Sequence, residues 1–179
     1  FDGRINITAN TANSTYENHF IVNNPAGFSN ATINLGSGVL LCYKNGTADN
    51  GTSNLRLGML TSVSGSTYHN AGLEVGNNGE SGTFGGAITG VTSILKTGAG
   101  TWVLSGANTY TGTTTLSAGA ITISGTKTGT GAVTAAAGTK LNVTGTLAGA
   151  VTLAGNSGTT SGARLTGNGT LSGSVNTGS

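Results

Sequence analysis

The chain has 179 residues, only 7% of them charged against roughly 25% in a typical soluble domain, and its formal net charge is +2. Basic residues scattered singly (Arg4, Lys44, Arg56, Lys96, Lys127, Lys140, Arg164) argue against a nucleic-acid partner. Glycine occurs 33 times and proline once, and Ser and Thr fill about a quarter of the chain, which with abundant Val and Ile excludes a disordered polyelectrolyte and favours short strands joined by tight turns.

The chain begins at Phe1 with neither Met nor a signal-like segment, as expected of a processed secreted protein or a fragment of a longer one. Residues 1–90 read as strand-like with a blurred period: a less regular, wider part of one solenoid, or a β cap. They hold seven of the nine aromatics, both histidines and all five carboxylates (Asp2, Glu17, Asp49, Glu74, Glu80). His19 and His69 follow similar Ser-Thr-Tyr contexts, where stacking would let them share a metal with Glu17. No paired spacing supports that, so exposed turn histidines and no metal are expected. The longest apolar stretch, near Val39–Tyr43, is too short for a membrane-spanning helix. Within it Cys42, the single cysteine, reads as a buried inert thiol, with an intermolecular bridge as the alternative. Tyr16, Tyr43 and Tyr68 are candidates for stacking on the sugar rings of a surface glycan.

Residues 91–179 are more regular. Trp102 and Leu104 alternate with Thr101, Val103 and Ser105, and Ile121 and Ile123 with Ala120, Thr122 and Ser124. Leu141 and Val143 do the same, so each segment predicts a strand buried on one side. The Ala135–Ala137 run, flanked by Gly131 and Gly138, is too short to hold a helix. Lys140-Leu141, Gly145-Thr146-Leu147, Gly149 and Val151 recur as Arg164-Leu165, Gly169-Thr170-Leu171, Gly173 and Val175, about 24 residues on, and Ile123 and Gly125 fit one period further back. Such a period predicts a parallel β-helix of some seven rungs, a rod on the order of 35 Å long. Thr111/Thr113/Thr115 and Thr126/Thr128/Thr130 form Thr-x-Thr arrays, but their spacing of about 15 does not match the period, which disfavours an ice-binding face. Seven Asn-x-Ser/Thr sequons are close to the number expected by chance in so Ser/Thr-rich a chain.

The run Leu95-Lys96-Thr97-Gly98-Ala99-Gly100-Thr101-Trp102-Val103-Leu104-Ser105-Gly106-Ala107-Asn108-Thr109-Tyr110-Thr111-Gly112, continuing through Leu116 to Ile121-Thr122-Ile123-Ser124-Gly125, closely resembles the autotransporter-associated (passenger-associated) β-strand repeat. The shared elements are a Lys-Thr-Gly-x-Gly-Thr strand, an Asn-Thr-Tyr-x-Gly turn and a later Ile-x-Ile strand, carried here by Gly98, Gly100, Trp102, Leu104, Asn108, Tyr110, Gly112, Leu116, Ile121 and Ile123. Trp102 replaces the family's usual Leu, which predicts a roomier core. The resemblance implies a right-handed parallel β-helix outside a bacterial cell, with no catalytic residues and no cofactor. Asn108 and Tyr110 are expected to satisfy backbone groups and pack at a solenoid corner.

Parallel β-helices include polysaccharide-degrading enzymes, but glycoside cleavage needs a pair of carboxylates and residues 81–179 contain none. No enzymatic activity is expected. The last coil, Thr170–Ser179, has no acid, base or proline to protect its edge. The expectation is a structural protein of the bacterial surface or extracellular matrix, either a stalk or adhesin segment or a filament subunit stacking head to tail on itself. The alternative is a surface- or glycan-binding module.

Overall fold

The computed structural model describes residues 1–9, 19–22, 25–43, 54–69, 72–156 and 158–178. Among the described residues, twenty-three short strands, each paired in parallel, wind into a three-faced solenoid of about seven turns. The first face is one eight-stranded sheet: β1 (Arg4–Ile7), β3 (Thr32–Leu35), β6 (Met59–Ser62), β9 (Gly82–Phe84), β12 (Thr101–Leu104), β15 (Ala120–Ile123), β18 (Lys140–Val143) and β21 (Arg164–Thr166). A second face stacks β5 (Leu55–Leu57), β8 (Leu73–Val75), β11 (Ile94–Lys96), β14 (Thr114–Leu116), β17 (Val133–Ala135), β20 (Val151–Leu153) and β23 (Val175–Thr177). The third face is divided. One sheet holds β2 (His19–Val22), β4 (Leu40–Tyr43), β7 (Thr67–His69) and β10 (Ala87–Thr89), the other β13 (Ala107–Asn108), β16 (Thr126–Lys127), β19 (Thr146–Leu147) and β22 (Thr170–Leu171). The only helical element described is a 3-10 turn, Pro25–Phe28, which packs against β5 at the start of the second face.

The alternation in the sequence is what folds each strand. In β12, Trp102 and Leu104 are buried while Thr101 and Val103 are half-exposed, and β15 and β18 repeat the pattern. Parallel pairing in register then stacks like on like, so that Trp102, Ile121, Leu141 and Leu165 form one inward column and Phe84, Leu104, Ile123 and Val143 the next.

The coil is not a constant 24 residues. Arg4 pairs with Thr32 and Thr32 with Met59, giving early coils of 28 and 27 residues. Ser62 pairs with Phe84, Gly82 with Trp102, Trp102 with Ile121 and Ile121 with Leu141, so the coil shortens to 22, 20, 19 and 20. Only the last coil, Leu141 to Leu165, has 24. Ile123 therefore pairs with Val143, and Leu147 looks back to Lys127 rather than to Ile123. The reason lies in the corners. The link from β20 to β21 runs from 154 to 163, whereas that from β17 to β18 spans only 136 to 139; in the same coil the link from β19 to β20 is shortened to 148–150.

Glycine builds the three corners. Gly86, Gly106, Gly125, Gly145 and Gly169 stack at one, Gly112, Gly131, Gly149 and Gly173 at a second, and Gly76, Gly98 and Gly119 at the third. A Cβ on Gly106, Gly125 or Gly145 would be driven into the carbonyl oxygen of the glycine one coil earlier. Those corners turn tightly enough to bring backbone onto backbone, and Gly98 additionally adopts φ +61.

Candidate functional site

The motif residues converge on the division of the third face, where the sheet ladder breaks and a side chain bridges the coils beside the backbone bonds from Thr109 N–H and Tyr110 N–H to Ile88 O. Asn108 is fully buried. Its Oδ1 accepts from the Ile88 N–H at 3.0 Å, one coil back, and its Nδ2 donates to Gly106 O at 3.1 Å and to Thr126 O at 3.3 Å, one coil on. One amide thus joins three coils where β10 and β13 do not pair as a sheet. Tyr110 fills the following corner, buried, its hydroxyl 2.7 Å from Thr114 Oγ1. Burial pushes that hydroxyl well above the usual tyrosine range, and the bond to Thr114 offsets only part of the shift.

Two lysines occupy the interior. Lys127 pairs with Asn108 on one side and Leu147 on the other, inside an inward column. Its Nζ donates to Gly129 O at 2.6 Å and Gly131 O at 2.8 Å, and lies 4.7 Å from the centre of the Tyr110 ring. Lys96 stands between Val75 and Leu116 and donates to Thr97 O, Gly98 O and Ala118 O. Both are 0% exposed, and burial lowers each amine from 10.5 to about 8. Their stems fill the core and their ammonium groups bind the carbonyls that the tight corners turn inward. Sequence reasoning counted them only as scattered single charges and assigned them no place in the core. The available signal was parity: Lys96 lies two residues after Ile94, on the buried face of β11.

Trp102 shows how the larger ring is accommodated. The residue paired with it on β9 is Gly82, and across that space the indole Nε1 donates to Leu60 O at 2.8 Å. Phe84 lies 6.3 Å away, tilted by 50°. Leu104, Leu116, Ile121 and Ile123 are buried in the same core, and Gly98, Gly100 and Gly112 sit where a Cβ would strike the preceding coil.

The other sequence candidates are dispersed. Tyr68 is buried, its hydroxyl donating to Gly72 O at 3.2 Å, so its ring is out of reach of a ligand: a strand facing the core carries it, not a turn. Tyr16 and the side chain of Tyr43 lie outside the described residues. His69 belongs to the column Ile21–Cys42–His69–Thr89, whereas His19 pairs with Leu40 and Thr67 follows, so the two histidines do not stack. His69 Nδ1 is 2.7 Å from Thr89 Oγ1. Cys42 is half-buried. Glu74 meets Arg56 at 2.9 Å, and Glu80 accepts from Thr32 at 2.6 Å with Arg4 at 3.8 Å; Glu17 and Asp49 are outside the described residues. A groove of about 540 Å³ follows the first glycine corner, lined by Ser64, Ser66, Thr67, Ser105 and Thr126 among glycines and alanines, without a titratable side chain.

Threonine is stacked more than the assumed period allowed. Thr115, Thr134 and Thr152 form an exposed column, and Thr126, Thr146 and Thr170 a second one in which Thr146 is half-buried. Beside Thr115, however, Thr113 gives way to Ala132 and Ala150, so the double Thr-x-Thr array stands on one coil only.

The features in residues 94–123 decide what this part of the chain is similar to: two glycine corners, a bridging Asn, a buried corner Tyr and two alternating strands. These residues match the Passenger-associated-transport-repeat family. The match covers 30 of the 179 residues and begins at β11 and ends with β15, about one and a half coils. No curated protein and no solved structure matches the chain. Over this segment the β-solenoid is similar to an autotransporter passenger.

Proposed function

We propose that the chain is a non-enzymatic structural element of the bacterial cell surface or extracellular matrix: a rod that serves as a stalk or adhesin segment, or that stacks head to tail into a filament. The observation that carries this reading is the division of labour among its side chains. Asn108, Tyr110, Trp102, Lys96 and Lys127 are all spent on joining or filling coils. Glu74 and Glu80 are engaged by arginines, and no titratable group lines the groove. The stacking version is supported by the last coil, where Leu165 and Leu171 are half-exposed and Val175 is 42% exposed, one apolar residue on each face against which a further coil would pack. That coil belongs either to a neighbouring segment of a longer chain or to a second copy.

Sedimentation over a dilution series, run alongside a reducing-sugar assay on bacterial surface polysaccharides, tests the reading. Mass that grows with concentration and no release of reducing ends is expected. A monomer that cleaves glycans would overturn it.

A further inference from the structure

The two cations left exposed in the regular half are brought together by the last coil. Lys140 on β18 pairs directly with Arg164 on β21, and both side chains are exposed. Neighbouring strands lie about 4.8 Å apart, a distance at which like charges directly opposite each other are destabilising. Elsewhere the chain avoids such a cost: Arg4 has Glu80 at 3.8 Å, Arg56 has Glu74 at 2.9 Å, and Lys96 and Lys127 are held by buried carbonyls. Lys140 and Arg164 have no ion pair among the described residues, and no Asp or Glu follows Glu80 in the sequence. Beside them on the same outward face, the half-exposed Asn142 and Thr166 are joined by a bond from Thr166 Oγ1 to Asn142 Oδ1 at 3.0 Å.

We propose that Lys140, Arg164, Asn142 and Thr166 form a binding face for an acidic polysaccharide, a partner beyond the structural role and independent of whether coils stack end to end. An anionic group bridging Lys140 and Arg164 relieves their repulsion, and the guanidinium fork matches a carboxylate or sulfate. The amide and hydroxyl alongside are suited to sugar hydroxyls. The residues that continue these two columns backward, Ala120 and Thr122 and then Thr101 and Val103, are small and uncharged, so a chain lies flat across several coils. No aromatic side chain on this outward face offers a stacking platform for bases, which favours a glycan over a nucleic acid.

The test is binding of the full chain to immobilised dextran sulfate and to neutral dextran at low ionic strength. Retention on dextran sulfate alone is expected, lost on adding salt. The double variant Lys140→Gln/Arg164→Gln should bind about tenfold more weakly, and Arg4→Gln/Arg56→Gln should bind as the parent does. Protection of the Lys140 amine from acetylation by soluble dextran sulfate, read by mass spectrometry on the unaltered protein, gives the same answer without a substitution. Equal binding by the Lys140/Arg164 variant, equal binding to neutral dextran, unprotected Lys140, or tighter binding to single-stranded DNA of matched charge would each overturn the proposal.

Discussion

Lys96 and Lys127 place an ammonium group in an inward column, and the consequences are measurable in solution. For each, the folded-state pKa is lowered from 10.5 to about 8, so at neutral pH both are buried and charged. Between those two values the unfolded chain holds more protons at these positions than the folded chain, so stability rises with pH through that window. Above the unfolded lysine value of 10.5 the trend reverses, because Tyr110 ionises more readily in the unfolded chain, where it is not buried. Urea midpoints should therefore increase from pH 7 to pH 9.5, and Lys96→Met/Lys127→Met should flatten the rise; a midpoint that falls steadily from pH 7 would contradict the buried placement. Asn108 makes a second residue-scale case. Asn108→Ala strands the buried Ile88 N–H and removes a donor from Gly106 O and Thr126 O, at a cost of about 2 kcal/mol read by chemical denaturation. Trp102, the sole tryptophan, reports these transitions through its emission.

At the scale of strands and corners, alternation made β12, β15 and β18 legible, because each buries every second side chain on one face. What escaped was corner length. The 154–163 link lengthens one coil, and its 24-residue step looked like the period, which hid the 19- and 20-residue coils before it. The same error hid the Thr115–Thr134–Thr152 column. The lysines escaped for a different reason: a charge at an alternating position reads as outward unless the corner carbonyls that receive it are known. The motif's Asn and Tyr were legible as corner residues, whereas Tyr68 was not, since nothing local distinguishes a turn tyrosine from one at the centre of β7. Corner glycines carry their own expected outcome. Gly125→Ala drives a methyl group into Gly106 O and should cost about 2 kcal/mol or more. Gly27→Ala, where a Cβ meets nothing within 4 Å, should leave the thermal midpoint within about a degree of the parent. Equal losses at both sites would mean that the corners are not closely stacked.

For the whole molecule, the eight strands of the first face at about 4.8 Å per step give a rod about 34 Å long. Arg4, Lys140 and Arg164 belong to one column of that face, so a head-to-tail stack that continues the register sets Arg164 beside Arg4 of the next copy. Salt should therefore promote joining: raising ionic strength from about 0.1 M to about 1 M shortens the screening length from about 10 Å to about 3 Å. Light scattering that increases with salt at fixed protein concentration is the expected sign, and scattering that falls would place the junction elsewhere. The most direct test is electron microscopy of the purified chain over a dilution series. Filaments with an axial repeat of about 38 Å, the eight strand steps of one copy including the junction, appearing as concentration rises, are the expected result. Separate short rods at every concentration would contradict the claim that the last coil is a stacking surface.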